Sequence, residues 1–378
     1  MRILLLTTWF PPAIVGSGVR CYEVGRRLAK RHEVHVFTTG VEDAAAEEEV
    51  EGMYVQRWGT FAATKSAERE AYLLNLRFSV NVLRRLDEDY DIIDCNIVSK
   101  ILPFAAYYLS KVRHTPLVET WHEVWYTLNF SQYPQPLSVA GFLLELLLPR
   151  FARAHIAVSE TTRRRLVSLL GADPRSVFVV SNGVDLARIK RIRAERKYGR
   201  ILYAGRLEKH KRVDVLIEAY KRIRRTHPEA ELVIVGTGSE RERLRRLASG
   251  VEGISFYEQL PYEKLIELMK SAWIFVLPSI REGQGIVLLE AMAAGTPPVA
   301  VAAEGSGVVD VIRDGYNGLL ASETPESLEH AIRGLLADDE LHSRLRAGGL
   351  EFVKAYDWDV VAGEVEKIYK TVSEAAGG

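Results

Sequence analysis

Two glutamates separated by seven residues, Glu282 and Glu290, lie in the segment 278–297, Pro-Ser-Ile-Arg-Glu-Gly-Gln-Gly-Ile-Val-Leu-Leu-Glu-Ala-Met-Ala-Ala-Gly-Thr-Pro. Glu282 follows a run expected to be a buried strand, Gly283 and Gly285 open a helix entrance, and Glu290 falls one turn into an otherwise apolar helix. A carboxylate there is costly to bury without a partner, and the hydroxyls of a ribose would supply one. The unpaired N–H groups of a helix entrance suit phosphate. A second segment, 203–212, places Arg206 at the carboxyl end of an expected strand and Lys211 at the start of the next helix. Two such cations suit one diphosphate, as a fork and a point charge. A third, 9–18, carries Gly16 and Gly18 just before a helix, where the backbone can come close to a phosphate. One carboxylate for a sugar, cations and amides for a diphosphate, and a second carboxylate for a ribose together describe a nucleotide sugar.

These residues need strands that end where helices begin. Short β-rich runs at 3–7, 34–38, 92–95, 117–120 and 155–158 alternate with amphipathic segments at 20–31, 70–86, 102–111, 139–151 and 160–169. That alternation predicts parallel strands with crossover helices, an α/β fold. Residues 41–52, rich in Ala and Glu, are expected to form an exposed loop or hairpin. After Asn182-Gly183-Val184-Asp185 the basic stretch 188–200 reads as a linker. The alternation then restarts, with strands at 200–204, 231–235, 254–257, 274–277 and 298–302. Two doubly wound domains are expected, 1–185 and 186–355, with a last helix within 356–378 returning to the first. In such sheets ligands bind at the carboxyl ends of the strands.

Composition and spacing exclude several classes. The chain has 378 residues with 50 Lys+Arg against 50 Asp+Glu, so it lacks the cationic excess of a dedicated nucleic-acid binder. Its two cysteines, Cys21 and Cys95, have no metal-ligand spacing and form no disulfide framework. Residues 139–148 are apolar but interrupted by Glu145 and closed by Pro149, well short of the ~20 residues of a membrane span. The cytoplasm is the expected location. Gly236-Thr237-Gly238 lacks the third glycine of a dinucleotide fingerprint, since Arg241 stands there, which disfavours a dehydrogenase. Asp89-Tyr90-Asp91 precedes a strand, at the end opposite the ligand face, and reads as a solvated turn. Leu73, Leu76, Val80 and Leu83, with Arg77, Arg84 and Arg85, form an amphipathic basic stripe. It is expected to pack on the domain's own sheet, with peripheral contact at the inner face of a membrane as the alternative.

The sequence resembles the retaining glycosyltransferases of the GT-B fold, family 4, also called group 1, over nearly its whole length. The resemblance rests on the early Pro-Pro and Gly-rich loop, Asn182-Gly183-Val184-Asp185, Gly205-Arg206-Leu207 through Lys211, and the two glutamates before Ala-Met-Ala-Ala-Gly-Thr-Pro. It implies two Rossmann-like domains facing across a cleft, the first for the acceptor and the second for the nucleotide sugar. It places Glu282 at the transferred sugar, Glu290 at the ribose, and Arg206 and Lys211 at the diphosphate. The amides of Gly285, Ile286 and Val287 complete the phosphate cradle, and His122 faces the donor sugar. Gly16-Ser17-Gly18 stands where adjacent glycines are common in the family, and Glu123 where many members carry Asp. The resemblance further implies retention of anomeric configuration, no cofactor and no essential metal. The co-substrate is a UDP-, GDP- or ADP-linked sugar and the acceptor a sugar or lipid-linked hydroxyl. Same-face substitution and double displacement through Glu282 both remain open. So do two other readings: a soluble synthase of a small sugar or disaccharide, and an inactive nucleotide-sugar-binding regulator.

Overall fold

The alternating apolar runs become two parallel sheets in the computed structural model, which describes residues 1–12, 15–41, 44–61, 68–85, 88–126 and 137–377. The chain divides into two compact units: unit 1 is Met1–Asn182 with Trp358–Gly378, and unit 2 is Gly183–Asp357. The expected boundaries, after 185 and 355, are displaced by a local cause. Val184 bridges to Asp357 and donates its N–H to the Tyr356 carbonyl at 2.8 Å, so both strands of the connection belong to unit 2.

Among the described residues unit 1 holds eight strands: β1 (Arg2–Leu6), β2 (Glu33–Val41), β3 (Glu47–Val50), β4 (Met53–Phe61), β5 (Ile92–Ile97), β6 (Leu117–Trp121), β7 (Ala154–Ala157) and β8 (Val177–Val179). Their order is β3-β4-β2-β1-β5-β6-β7-β8, with only the β3 edge antiparallel. The Ala/Glu-rich segment thus ends in a hairpin onto β4. Helices α1 (Gly16–Leu28), α2 (Glu68–Arg85), α3 (Leu102–Arg113), α4 (Leu137–Leu147) and α5 (Glu160–Leu170) connect the strands, and α1 starts four residues before its expected position. The C-terminal helix, Trp358–Gly377, packs Trp358, Val361, Val365 and Tyr369 into one core with Ile3, Leu5 and Val24.

The stripe on α2 is not where the sequence suggests. Leu73, Leu76, Val80 and Leu83 are exposed, while Phe78 and Val82 are buried. Phe78 stacks on Phe37 of β2 with ring centroids 5.6 Å apart, and this contact turns the 78/82 face inward and the leucine face outward. The Asp89-Tyr90-Asp91 turn sits at the amino ends of the strands, where Asp91 Oδ2 accepts the Arg2 N–H at 2.7 Å.

Unit 2 holds six parallel strands: β9 (Arg200–Ala204), β10 (Glu231–Val235), β11 (Ile254–Tyr257), β12 (Ile274–Leu277), β13 (Pro298–Val301) and β14 (Leu319–Ala321), ordered β11-β10-β9-β12-β13-β14. The basic linker begins with a short helix, α6 (Leu186–Arg191), capped by Asp185, whose Oδ1 accepts the Arg188 N–H at 2.9 Å. Helices α7 (Val213–Ile223), α8 (Arg241–Leu247), α9 (Tyr262–Ser271), α10 (Ile286–Ala293), α11 (Val308–Val311), α12 (Pro325–Ala337) and α13 (Asp339–Phe352) complete the unit.

Candidate active site

Three loops meet at the carboxyl ends of β9, β12 and β13. The Ile280 N–H donates to the His210 carbonyl at 3.0 Å, joining the loop after β12 to that after β9. The Gly307 N–H donates to the Glu282 carbonyl at 2.8 Å, joining the loop after β13. A Cβ on Gly307 would lie 2.1 Å from the Gly283 carbonyl oxygen, so this junction admits only glycine. Gly236 and Gly238 have the same kind of task. A Cβ on either would meet the Gly205 or Leu207 carbonyl oxygen at 1.9 or 2.4 Å, so this pair serves loop packing.

Within this junction Lys211 Nζ donates to Glu282 Oε1 at 2.6 Å, with both side chains about 13–14% exposed. Burial pushes the Glu282 carboxyl up, but the charge and hydrogen bond of Lys211, joined by smaller contributions from Ser279 and His210, together outweigh it and hold the group below its usual value. His210 is driven to about 4 by burial and then by Lys211 and Arg281, so it is neutral beside them. Burial and the Glu282 charge raise the Tyr203 hydroxyl well above its usual value, and this phenol donates to the Arg206 carbonyl at 2.7 Å. That bond pins the backbone of Arg206, whose exposed side chain makes no hydrogen bond or ion pair among the described residues. The two expected diphosphate cations therefore differ: Lys211 is held by Glu282, and Arg206 is open.

Helix α10 is entered through its N-cap Gly285, with φ of 91°, and has no acidic residue in its first turn. Its first amides, those of Ile286 and Val287, have no intrahelical acceptor and form the positive end of the helix dipole. Glu290 lies half-buried on the face shared with Ile286 and Ala293, while Leu288, Leu289, Ala291 and Met292 face the core. The Gly-Thr-Pro that follows is a helix stop: Gly295 has φ of 75° and the Thr296 N–H returns to the Ala291 carbonyl at 2.9 Å.

In unit 1, Gly16 is exposed at the start of α1 and Gly18 is buried in its first turn. A Cβ on Gly18 would stand 3.0 Å from the Trp9 carbonyl oxygen, so its bare Cα serves the close approach of the first loop. His122 follows β6, half-buried, with Nε2 bonded to Asn96 Oδ1 at 2.9 Å. Burial, and then the Arg20 charge, lower its pKa to about 3, so the ring is neutral. Glu123 is half-buried beside it. Sequence reasoning missed what holds this segment. Buried Glu145 of α4 accepts the N–H groups of Trp125 and Tyr126 at 2.6 and 3.0 Å, with Lys100 Nζ 3.4 Å away. The signal was the lone carboxylate inside an apolar helix.

A doubly wound sheet with a carboxylate, two cations and an uncapped helix entrance at its carboxyl edge has the layout in which Rossmann-like folds bind their ligands. Residues 14–188 match the profile of Glycosyltransferase Family 4, and residues 187–352 that of Glycosyl transferases group 1. A phosphatidyl-myo-inositol mannosyltransferase of Mycobacterium leprae is 33% identical over 79% of each chain. A D-inositol 3-phosphate glycosyltransferase of Geodermatophilus obscurus is 31% identical over 95% of this chain and 85% of its own. The sucrose-phosphate synthase of Thermosynechococcus elongatus superposes with a TM-score of 0.85 at 21% identity over 99% of both chains. The chain belongs to the group 1 glycosyltransferases and has their GT-B fold.

Proposed function

We propose that the chain is a retaining glycosyltransferase, working without an essential metal, that moves a sugar from a nucleoside diphosphate to a hydroxyl of a lipid-anchored acceptor. The observation that carries the reading is the Lys211–Glu282 pair at the junction of three loops, beside an unpaired Arg206 and the entrance of α10. As the sugar–oxygen bond breaks, its electrons pass to the departing diphosphate. Lys211, Arg206 and the amides of Gly285, Ile286 and Val287 are assigned to that growing charge, which is electrostatic catalysis at a leaving group. The Lys ammonium has three donors, so it can keep Glu282 while turning another to phosphate. Glu290 is assigned to the ribose and Glu282 to the transferred sugar. Gly16 and Gly18 are assigned to the phosphate approach and His122 to a sugar hydroxyl. In same-face substitution, a β-phosphate oxygen takes the acceptor hydroxyl's proton as its oxygen bonds to the anomeric carbon. In double displacement, Glu282 bonds that carbon as the diphosphate leaves, and the acceptor oxygen then displaces Glu282 as its proton passes to a β-phosphate oxygen.

The lipid-anchored acceptor is supported by the exposed face of unit 1. Leu73, Leu76, Val80 and Leu83 on α2, Tyr108 and Val112 on α3, and Val139, Leu143 and Leu147 on α4 are all exposed. Among the described side chains of these helices the one acid, Glu145, is buried, whereas Arg77 and Lys111 are exposed. Apolar residues with cations and no exposed acid suit an anionic lipid surface. No helix among the described residues is long and apolar enough to cross a membrane.

The test is a thermal-shift screen of UDP-, GDP- and ADP-sugars, followed by NMR of the product's anomeric linkage with and without EDTA. A ligand at 100 times its dissociation constant stabilises by about 2.7 kcal/mol. Inversion at the anomeric carbon, or activity lost in EDTA and restored by Mg²⁺ or Mn²⁺, would overturn the mechanism.

A further inference from the structure

Strand β5 reads Ile-Ile-Asp-Cys-Asn-Ile and is buried along its whole length, yet two of its six side chains are strongly polar. Buried amides and carboxylates persist where they are hydrogen-bonded. Asp94 has its partners nearby: Thr120 Oγ1 lies 2.9 and 3.0 Å from its two oxygens, and the Tyr369 hydroxyl of the C-terminal helix donates to Oδ2. Asn96, 2% exposed, stands beside Thr120 in the β5–β6 register, but that hydroxyl is engaged with Asp94. The Asn96 side chain instead reaches past the end of β6 to His122 Nε2 at 2.9 Å. An Oδ1 oxygen can only accept, so this contact calls for the tautomer with the proton on Nε2 and the lone pair on Nδ1. Nδ1 has no protein partner among the described residues.

The backbone around His122 is fixed without Asn96. The Trp121 carbonyl accepts from the Val158 N–H at 3.2 Å, the Val124 carbonyl from Arg165 Nη2 at 2.9 Å, and the Trp125 and Tyr126 amides are held by Glu145. The bond from Asn96 therefore sets the ring and not the path of the chain. We propose that Asn96 is a positioning residue of the transfer reaction: it holds His122 in the tautomer whose Nδ1 accepts a hydrogen bond from a substrate hydroxyl. This rests on the assignment of His122 to a sugar hydroxyl.

The test combines spectroscopy with a double-mutant cycle. Two-bond ¹H–¹⁵N spectra of the whole protein, with His122 assigned by its loss in His122→Ala, should show one Nε2–H tautomer in wild type and a mixture in Asn96→Ala. Asn96→Asp, which keeps an acceptor oxygen, should retain the Nε2 proton. Turnover is followed as hydrolysis of whichever UDP-, GDP- or ADP-linked sugar wild type cleaves fastest. Asn96→Ala should lower kcat about tenfold at nearly unchanged KM, and should cost nothing further in the His122→Ala background. An Nδ1–H tautomer in wild type, an unchanged Nε2–H tautomer in Asn96→Ala, or an equal cost in both backgrounds would overturn the proposal. Wild-type turnover in His122→Ala is a separate failure. It removes His122 from the reaction and is seen before any Asn96 variant is made.

Discussion

Replacing Lys211 by methionine keeps the bulk of the side chain and removes its charge, leaving the Glu282 carboxylate in place with its ion partner gone. At the observed 2.6 Å, and with an effective dielectric constant of about 20, the direct attraction is about 6 kcal/mol before desolvation is counted. Breaking a buried pair costs about 3–5 kcal/mol. The residual exposure of both groups favours the lower end, about 3 kcal/mol at pH 8. The pH dependence carries more information than the size. In wild type the Glu282 pKa is depressed, so its contribution is present above the ordinary carboxyl value near 4.5 and lost as pH falls through the folded pKa. Without Lys211, burial is the dominant influence and raises that pKa. Stability from this group is then present at low pH and lost as pH rises through the new value. Calorimetric unfolding of wild type, Lys211→Met, Glu282→Gln and the double variant from pH 4 to pH 8 measures this directly. The expected result is a deficit in Lys211→Met that widens with pH and largely disappears in the double variant. An equal deficit at pH 4.5 and pH 8, or no recovery in the double variant, would refute the reasoning.

Three further outcomes are expected. Glu290→Gln should weaken binding of the free nucleoside diphosphate by about 1.5–3 kcal/mol in titration calorimetry, while Glu282→Gln should lower turnover with little change in that affinity; equal losses of nucleotide affinity would exchange or void the two assignments. Leu76→Glu with Val80→Glu should abolish pelleting with anionic liposomes at low salt while leaving the melting temperature near wild type, because both residues are exposed; pelleting that persists would remove this face from the membrane. Burial raises the Asp94 pKa to about 6, so its stabilising contribution is present below 3.8 and lost as pH rises through 6. Asp94→Asn should therefore flatten the stability profile between pH 4 and pH 6.5 by about 3 kcal/mol in urea unfolding, and an unchanged slope would count against it.

The strands and the junction in unit 2 were legible because each rests on local chemistry. A buried parallel strand is a continuous apolar run, and Glu282 and Glu290 are conspicuous against one. The pairing of Lys211 with Glu282 was not legible, since it joins residues 71 apart through loops after different strands. The face of α2 was misjudged because 73, 76, 80 and 83 follow the same helical spacing whether they face a sheet or solvent. What decides it is the stacking of Phe78 on a residue of β2, a long-range fact. Asn96 and Glu145 did leave a trace, as polar residues inside apolar runs, but such a trace names no partner. Gly236 and Gly238 fall short of a dinucleotide fingerprint in the sequence, and the packing they serve instead, bare Cα atoms making room for carbonyls of the neighbouring loop, is a contact between loops that spacing does not reveal.

The C-terminal helix has a consequence for synthesis. Trp358, Val361, Val365, Tyr369 and Val372 complete a core begun by Ile3, Leu5 and Val24, so unit 1 is written in two pieces with all of unit 2 between them. On a ribosome adding roughly 5–20 residues per second, the interval Gly183–Asp357 takes on the order of 10–30 s to translate. For that time the first half of the nascent chain has an apolar flank with no cover, whereas unit 2 emerges as one uninterrupted stretch. The order of translation thus makes the earlier-made half the later to mature. Moving the helix ahead of Met1 by circular permutation would remove the delay.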